Sequence, residues 1–319
     1  MKTAIIGLGQ IGGVHTEVLN ELGANIVAVC DVDTKKFSNY SNCKQFIDWE
    51  EMLDEVKPDV VHVCTPHYLH ADMVVGALER NINVICEKPL CIKEDDYKRI
   101  LLAEKNSKAQ LGVCLQNRYN KSSIFLKEYL KDKKPNASWG MLAWYRNEDY
   151  YVSGEWRGKW QTEGGGVLIN QAIHTIDMLQ YVMGMPEKVV ATCSNLTLDG
   201  VIEVEDTVTA IYYGSSRITF FATNGSKASF PIEILIRTDD EMIKVSDGKV
   251  ISNGNLIFED TDKRFYGKGC YGSGHKKLIE DFYDCVKNNK PFFIDGEEGL
   301  KSVKMVLSAY KSNGKEVNV

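Results

Sequence analysis

Two side chains stand where proton and charge chemistry could be done. Lys88 lies between Glu87 and Pro89, and His174 lies ten residues after the first glycine of Gly164-Gly165-Gly166. A lysine ammonium can hydrogen-bond a hydroxyl and stabilise the oxyanion that develops when the proton departs. A histidine, with an ordinary pKa of about 6.5, exchanges a proton at neutral pH. Pro89 fixes its own φ and restricts the backbone of Lys88, which favours a lysine held in place. A loop lysine paired with Glu87 is the competing reading, and position alone leaves the two even. A helix is expected near 167–183, with Asn170, His174, Asp177 and Tyr181 on one face at i, i+4, i+7 and i+11. A polar row on an otherwise apolar helix is costly to bury without partners. A lone histidine in such a helix is more often a core residue. The three glycines and the flanking Trp156, Arg157 and Trp160 tip the balance toward a site. No metal-ligand spacing is read.

The elements that must position these groups begin with Gly7-Leu8-Gly9-Gln10-Ile11-Gly12, directly after an apolar run. In that context Gly7 permits a tight turn, Gly9 lets the backbone approach a pyrophosphate, and Gly12 allows close helix–strand packing. Helix-start N–H groups, including those of Gln10 and Ile11, would face the phosphates. Asp31 ends the next strand-like run, 19 residues after Gly12, where a carboxylate accepts hydrogen bonds from ribose hydroxyls. No Arg or Lys follows it immediately, and Lys35 and Lys36, although near, are expected to point from the next helix and not at the ribose. NAD is therefore favoured over NADP.

Strand-like runs at 3–6, 26–30, 60–64, 83–86 and 110–114 alternate with helical patterns near 12–22, 49–56, 68–81 and 93–106. Continuous apolar runs joined by helices predict a doubly wound parallel sheet, whose ligands bind beyond the carboxyl ends of the strands. Those ends carry Gly7, Asp31, Thr65-Pro66-His67, Glu87-Lys88-Pro89 and Leu115-Gln116-Asn117-Arg118. After about residue 120 come a helix (120–133), a series of longer β-rich segments and two closing helices near 273–289 and 297–312. Residues 1–118 thus read as a nucleotide domain. Residues 119–319 read as an α+β domain for substrate and self-association, with a mainly antiparallel open sheet.

The ordered set GLGQIGGVH at 7–15, CTPHYLH at 64–70, EKP at 87–89 and GGGVLINQAIHTID at 164–177 resembles the glucose–fructose oxidoreductase, inositol dehydrogenase and rhizopine-type (Gfo/Idh/MocA) family. The resemblance covers nearly the whole chain. It implies an N-terminal Rossmann domain and an open-sheet C-terminal domain often used for oligomerisation, here a homodimer or homotetramer. It also implies oxidation or reduction of a sugar or cyclitol carbon with NAD(P). Lys88 matches the EKP lysine and His174 the motif histidine. Thr65, Pro66 and His70 match the segment lining the nicotinamide. Many members carry Asp where this chain has Asn170, and an amide can neither take a proton nor hold a charge. The proton-transfer role then falls to His174 and Lys88, with Asn170 still able to bind a sugar hydroxyl.

On this reading Gly7, Gly9, Gln10, Ile11, Gly12, Asp31, Thr65, Pro66, His70, Glu87, Lys88 and Gln116 hold the cofactor. Lys88, Asn117, Arg118, Tyr119, Trp156, Arg157, Trp160, Gln161, Asn170 and His174 meet the substrate, although 156–160 could equally be an interface or lid loop. An NAD-dependent glycosidase working through transient oxidation would use the same His174 and Lys88. A non-enzymatic NAD-responsive regulator need not keep them. The chain has 319 residues and a net charge of −6, which gives no basic excess to collect nucleic-acid phosphates. Its nine cysteines are scattered without a CxxC pair, as expected of buried thiols in a reducing compartment. With no leader pattern and no apolar run of about 18 residues, a cytoplasmic location is expected.

Overall fold

The apolar runs of the first third form parallel strands, because neither face of such a run tolerates water. The computed structural model describes residues 1–261, 265–267 and 272–319. The chain divides into one unit of Met1–Tyr119 with Lys263–Leu300, and another of Asn120–Asp262 with Lys301–Val319. The return of the later segment to the first unit differs from the simple division after residue 118.

The first unit holds β1 (Lys2–Ile6), α1 (Gln10–Glu21), β2 (Asn25–Cys30), β3 (Lys44–Phe46), α2 (Trp49–Val56), β4 (Val60–Val63), α3 (His70–Glu79), β5 (Asn83–Cys86), α4 (Asp95–Asn106) and β6 (Leu111–Val113). The strands pair in parallel in the order β3-β2-β1-β4-β5-β6, which places the switch point between β1 and β4. Every residue of β4 is buried, as are all but the first residue of β1 and of β5. The short edge strand β3 has too little apolar character to be read from sequence: two of its three residues are exposed. Helix α9 (Gly274–Lys287) joins this unit and drives Phe282 against Gly112 of β6, where a Cβ would lie 2.6 Å from the ring.

The second unit holds α5 (Lys121–Tyr129), β7 (Ala137–Ala143), α6 (Glu148–Val152), α7 (Val167–Asn170), α8 (Ile173–Met183), β8 (Lys188–Ser194), β9 (Thr207–Tyr213), β10 (Arg217–Thr223), β11 (Glu233–Arg237), β12 (Met242–Ser246), β13 (Lys249–Ser252), β14 (Asn255–Glu259) and β15 (Val317–Asn318). Helix α10 (Gly296–Ser312) starts in the first unit and continues in the second. The sheet order is β14-β13-β12-β11-β7-β10-β9-β8-β15. All its pairs are antiparallel except β7 with β10, so the expected mainly antiparallel sheet is found. Alternation puts Leu142, Phe220, Tyr212 and Ile236 in the core, with Leu179 of α8 closing over Gly140. The opposite face carries the half-buried Trp139, Met141, Ile211, Phe221 and Leu235 on adjacent strands.

The eight described cysteines are free thiols, five of them fully or almost fully buried among apolar strands; Cys270 lies outside the described residues. Among the described residues no helix is long and apolar enough to cross a membrane.

Candidate active site

The turn after β1 shows why each glycine is needed. Gly7 has φ +91°, and a Cβ there would lie 2.6 Å from the Cys64 carbonyl oxygen. A Cβ on Gly12 would lie 2.0 Å from the Gly7 carbonyl oxygen. Both glycines are therefore required by the protein's own packing. Gly9 differs: a Cβ there meets no atom within 4 Å. It is exposed and is the residue from which α1 begins, with no side chain capping the helix. That leaves the first-turn N–H groups and the positive end of the helix facing open space, a fit for a pyrophosphate.

Asp31 is almost fully buried and ties the second strand to this turn: its Oδ2 accepts the Leu8 N–H at 2.7 Å, and its Oδ1 the Asp33 N–H at 2.9 Å. One expectation is corrected here. Lys36 reaches back instead of pointing away, and its ammonium lies 3.1 Å from both Asp31 oxygens. The reason is local. Residues Thr34–Asn39 form a tight 3₁₀ turn capped by Asp33, which brings the fifth residue after Asp31 over the strand end.

At the other strand ends, Thr65 and Pro66 are half-buried, and His70 is completely buried. The His70 ring bridges two loops, with Nδ1 2.7 Å from the Pro89 carbonyl oxygen and Nε2 2.8 Å from that of Thr65. Burial lowers its pKa. Both ring nitrogens thus face main-chain carbonyls, the neutral ring donating to one of them, so His70 lies between the Thr65 and Lys88 loops. Glu87 is buried and accepts the Lys88 N–H at 3.2 Å and the His15 ring at 3.0 Å. Burial works to raise its pKa, but hydrogen bonds from His15 and His275 hold it well below the ordinary carboxylate range. Lys88 itself is half-buried and joined to Pro89 by a cis peptide.

Gln116 and Arg118 are buried, and the Arg118 guanidinium pairs with Glu298 at 2.8 Å. Tyr119 donates its hydroxyl to Asp281. These two side chains are bound into the first unit through Glu298 and Asp281. Sequence spacing could not reveal partners more than 160 residues away.

In the second unit the helix expected at 167–183 is interrupted. Helix α7 ends at Asn170, and α8 begins at Ile173. Between them the Gln171 amide donates to the Tyr150 hydroxyl at 3.0 Å and accepts from Asn224 at 3.0 Å. Asn170 and His174 are half-buried, whereas Asp177 is buried. The three glycines before α7 admit the protein's own groups. A Cβ on Gly165 would meet the Tyr310 hydroxyl at 2.0 Å, and one on Gly166 the Glu205 carbonyl oxygen at 1.9 Å. The Glu205 carboxylate caps α7, accepting from the N–H groups of Gly166 at 2.8 Å and Leu168 at 3.0 Å.

Sequence reasoning missed Glu163. It is buried, and accepts hydrogen bonds from the Asn170 amide and the Gly158 N–H. Burial pushes both Glu163 and Glu205 up to about 7, against those hydrogen bonds. A carboxyl group therefore does stand beside position 170, supplied from seven residues upstream. The signal was the acidic residue just before the glycines. Trp156 and Arg157 are half-buried, with the guanidinium 4.6 Å from the Tyr150 ring and 5.3 Å from that of Trp156. Trp160 is half-exposed and donates to the Glu203 carbonyl oxygen at 2.9 Å, so its ring is fixed. Gln161 is exposed.

Comparison with known proteins gives two family matches that together span most of the chain. Residues 1–115 match the oxidoreductase family, NAD-binding Rossmann fold (GFO_IDH_MocA), and residues 142–319 its C-terminal alpha/beta domain. Myo-inositol 2-dehydrogenase of Thermotoga maritima is 22% identical over 98% of this chain and 96% of its own. D-glucoside 3-dehydrogenase of Escherichia coli is 29% identical over 58% of this chain and 55% of its own. Among solved structures, the WlbA dehydrogenase of Chromobacterium violaceum, in complex with NADH and UDP-GlcNAcA, is similar. It has a TM-score of 0.89 and 25% identity, covering 100% of this chain and 96% of that one.

Proposed function

From the premise that the chain belongs to the Gfo/Idh/MocA oxidoreductase family, with its NAD-binding Rossmann fold, we propose that it oxidises or reduces a hydroxyl-bearing carbon of a sugar, sugar derivative or cyclitol, with His174 as acid–base and Lys88 as oxyanion stabiliser. The single observation that carries this reading is the open, uncapped α1 start at Gly9 in the same unit as the half-buried Lys88.

The residues fit NAD: Gly9 leaves room for the pyrophosphate, and Asp31 offers a carboxylate to the ribose. When bound, the nicotinamide accepts the hydride in oxidation and returns it in reduction. In oxidation His174 takes the hydroxyl proton, and the Lys88 ammonium stabilises the developing oxyanion. Hydrogen bonding by Asn170 orients the sugar, its amide held by Glu163. Trp156 and Arg157 supply an aromatic face and a directional donor.

Support for a carbohydrate-like substrate comes from the relatives: an inositol dehydrogenase, a glucoside dehydrogenase, and a dehydrogenase bound to UDP-GlcNAcA. We further propose that the half-buried apolar stripe of Trp139, Met141, Ile211, Phe221 and Leu235 pairs with a second copy of the chain. The testing experiment is a panel of sugars, cyclitols, glycosides and nucleoside-diphosphate sugars with NAD and NADP. Substrate-dependent NADH appearance supports the reading. Glycoside cleavage without net NADH would replace it with the transient-oxidation hydrolase.

A further inference from the structure

Behind the Lys88 loop, the first unit buries a file of titratable side chains that the proposed chemistry does not use. Tyr283 of α9 has its hydroxyl 2.9 Å from Thr3 Oγ1 and 2.9 Å from His62 Nε2. His62 Nδ1 lies 2.7 Å from His15 Nδ1, and His15 Nε2 lies 3.0 Å from Glu87 Oε1. Thr3, His15 and His62 have no solvent exposure, whereas Tyr283 is half-buried. The file therefore runs from the edge of the unit to the residue preceding Lys88.

Its polarity follows from donor counting. A carboxylate accepts only, so His15 must donate from Nε2 to Glu87. The 2.7 Å contact between the two imidazoles holds a single proton. With both rings neutral, that proton belongs to His62 Nδ1, and His15 Nδ1 accepts it. His62 Nε2 is then an acceptor and takes the Tyr283 hydroxyl proton, while the Tyr283 oxygen accepts from Thr3. Every atom is used once, in one direction. Burial holds the His62 pKa well below its ordinary value, in keeping with a neutral ring.

Other elements also face Glu87. His275 of α9 has Nε2 3.8 Å from its Oε1, and the Cys114 thiol after β6 lies within 4.8 Å of it. Cys64 and Cys86 lie within its field, their thiols pushed well up by burial. Burial lowers the pKa of both His275 and His70, and the Lys88 charge adds a smaller effect in the same direction at each. Glu87 and Lys88 are thus the anion and the cation of one electrostatic neighbourhood.

We propose that Tyr283–His62–His15 is a one-way hydrogen-bond relay anchoring the Glu87 carboxylate, and that Glu87 is a positioning residue for the Lys88 ammonium. The Lys88 half rests on the reading of that lysine given above; the relay does not. A fixed buried anion next in sequence favours the charged form of the lysine and holds its backbone through the Lys88 N–H. A metal ion is the rival occupant, since the donor atoms of His15, Glu87, Cys114 and His275 lie within 4.8 Å of one another. Tetrahedral coordination requires donors about 3.3–3.8 Å apart and a deprotonated thiol. The hydrogen bonds already account for the carboxylate without it.

Nitrogen-15 NMR of the histidines, on protein without substrate, tests the relay directly. The expected result is neutral His15 protonated at Nε2 and neutral His62 protonated at Nδ1. A doubly protonated His15, or His62 protonated at Nε2, overturns it. So does stoichiometric zinc in the purified protein that is lost in Cys114→Ser. Kinetics test the positioning. Glu87→Gln is expected to move the basic limb of the pH–kcat profile down by about one unit, with the KM for NAD within about twofold. Tyr283→Phe, which removes the donor and keeps the ring, is expected to move the limb the same way but less. Profiles superimposable on the parent enzyme overturn the positioning. Normal turnover in Lys88→Ala overturns the Lys88 half alone, leaving the tautomers as measured.

Discussion

Lys36 and Asp31 form an ion pair across the place proposed for an adenosine ribose, with the ammonium 3.1 Å from both carboxylate oxygens. Such a cation is placed to meet a 2′-phosphate and to weaken the exclusion of NADP by Asp31. Lys36→Ala is expected to raise the KM for NADP by about tenfold, the loss of one charge-assisted contact. The KM for NAD should stay within about threefold. Equal changes for both cofactors would remove Lys36 from the ribose site.

The glycine turn offers a separation of folding from binding. Gly9→Val adds carbon to open space, so its melting temperature should match the parent while NAD affinity falls by about tenfold or more. Gly12→Val drives a side chain into the Gly7 carbonyl and should destabilise the unit outright. Calorimetry and NAD titration on both variants check the contrast.

Lys88→Ala and His174→Ala are each expected to lower kcat by about 100-fold or more while NAD still binds. Single-turnover rates with the substrate found in the panel measure this. Near-normal turnover in both would sink the mechanism.

Asn170→Asp would put a second carboxylate against Glu163, whose pKa already stands at about 7 through burial. The folded-state value lies above the unfolded one, so the stabilising contribution is complete at low pH and lost as pH rises through about 7. A second carboxylate deepens that loss. The variant's melting deficit against the parent should therefore be larger at about pH 8 than at about pH 6. Pairing it with Glu163→Gln should remove the pH dependence.

In the first unit the sign is opposite. His62, His70 and His275 are lowered by burial, so the unfolded chain takes protons first as pH falls below about 6.5. Their contribution is present above that value and lost below it. Opening free energies of β4 and α3 amides, from hydrogen exchange, should fall between about pH 7 and about pH 5.5. No change across that interval would show that these rings do not titrate with unfolding.

What could be read from the residues follows from how local the cause was. Gly7, Gly12 and Asp31 sit on a turn whose geometry is set within about 30 residues, and each lies as the motif demands. Arg118 and Tyr119 are polar residues at a strand end, indistinguishable in sequence from ligand contacts. Only the fold supplies Glu298 and Asp281. The break after Asn170 was hidden because Gln171 and Ala172 are good helix residues. The tie from Gln171 to Tyr150 and Asn224 is tertiary. Edge strand β3 lacked an apolar pattern altogether.

The return of α9 to the first unit bears on the order in which the chain can fold. His62 and Thr3 find their partner Tyr283 more than 200 residues later, and Gly112 is covered only when Phe282 arrives. During synthesis the six parallel strands would emerge long before the helix that seals one side of them. Contacts of such long sequence separation form late and slow the final step. An isolated 1–119 fragment should therefore expose the β6 floor and remain a substrate for proteases, and adding a peptide spanning 272–300 in trans should protect it.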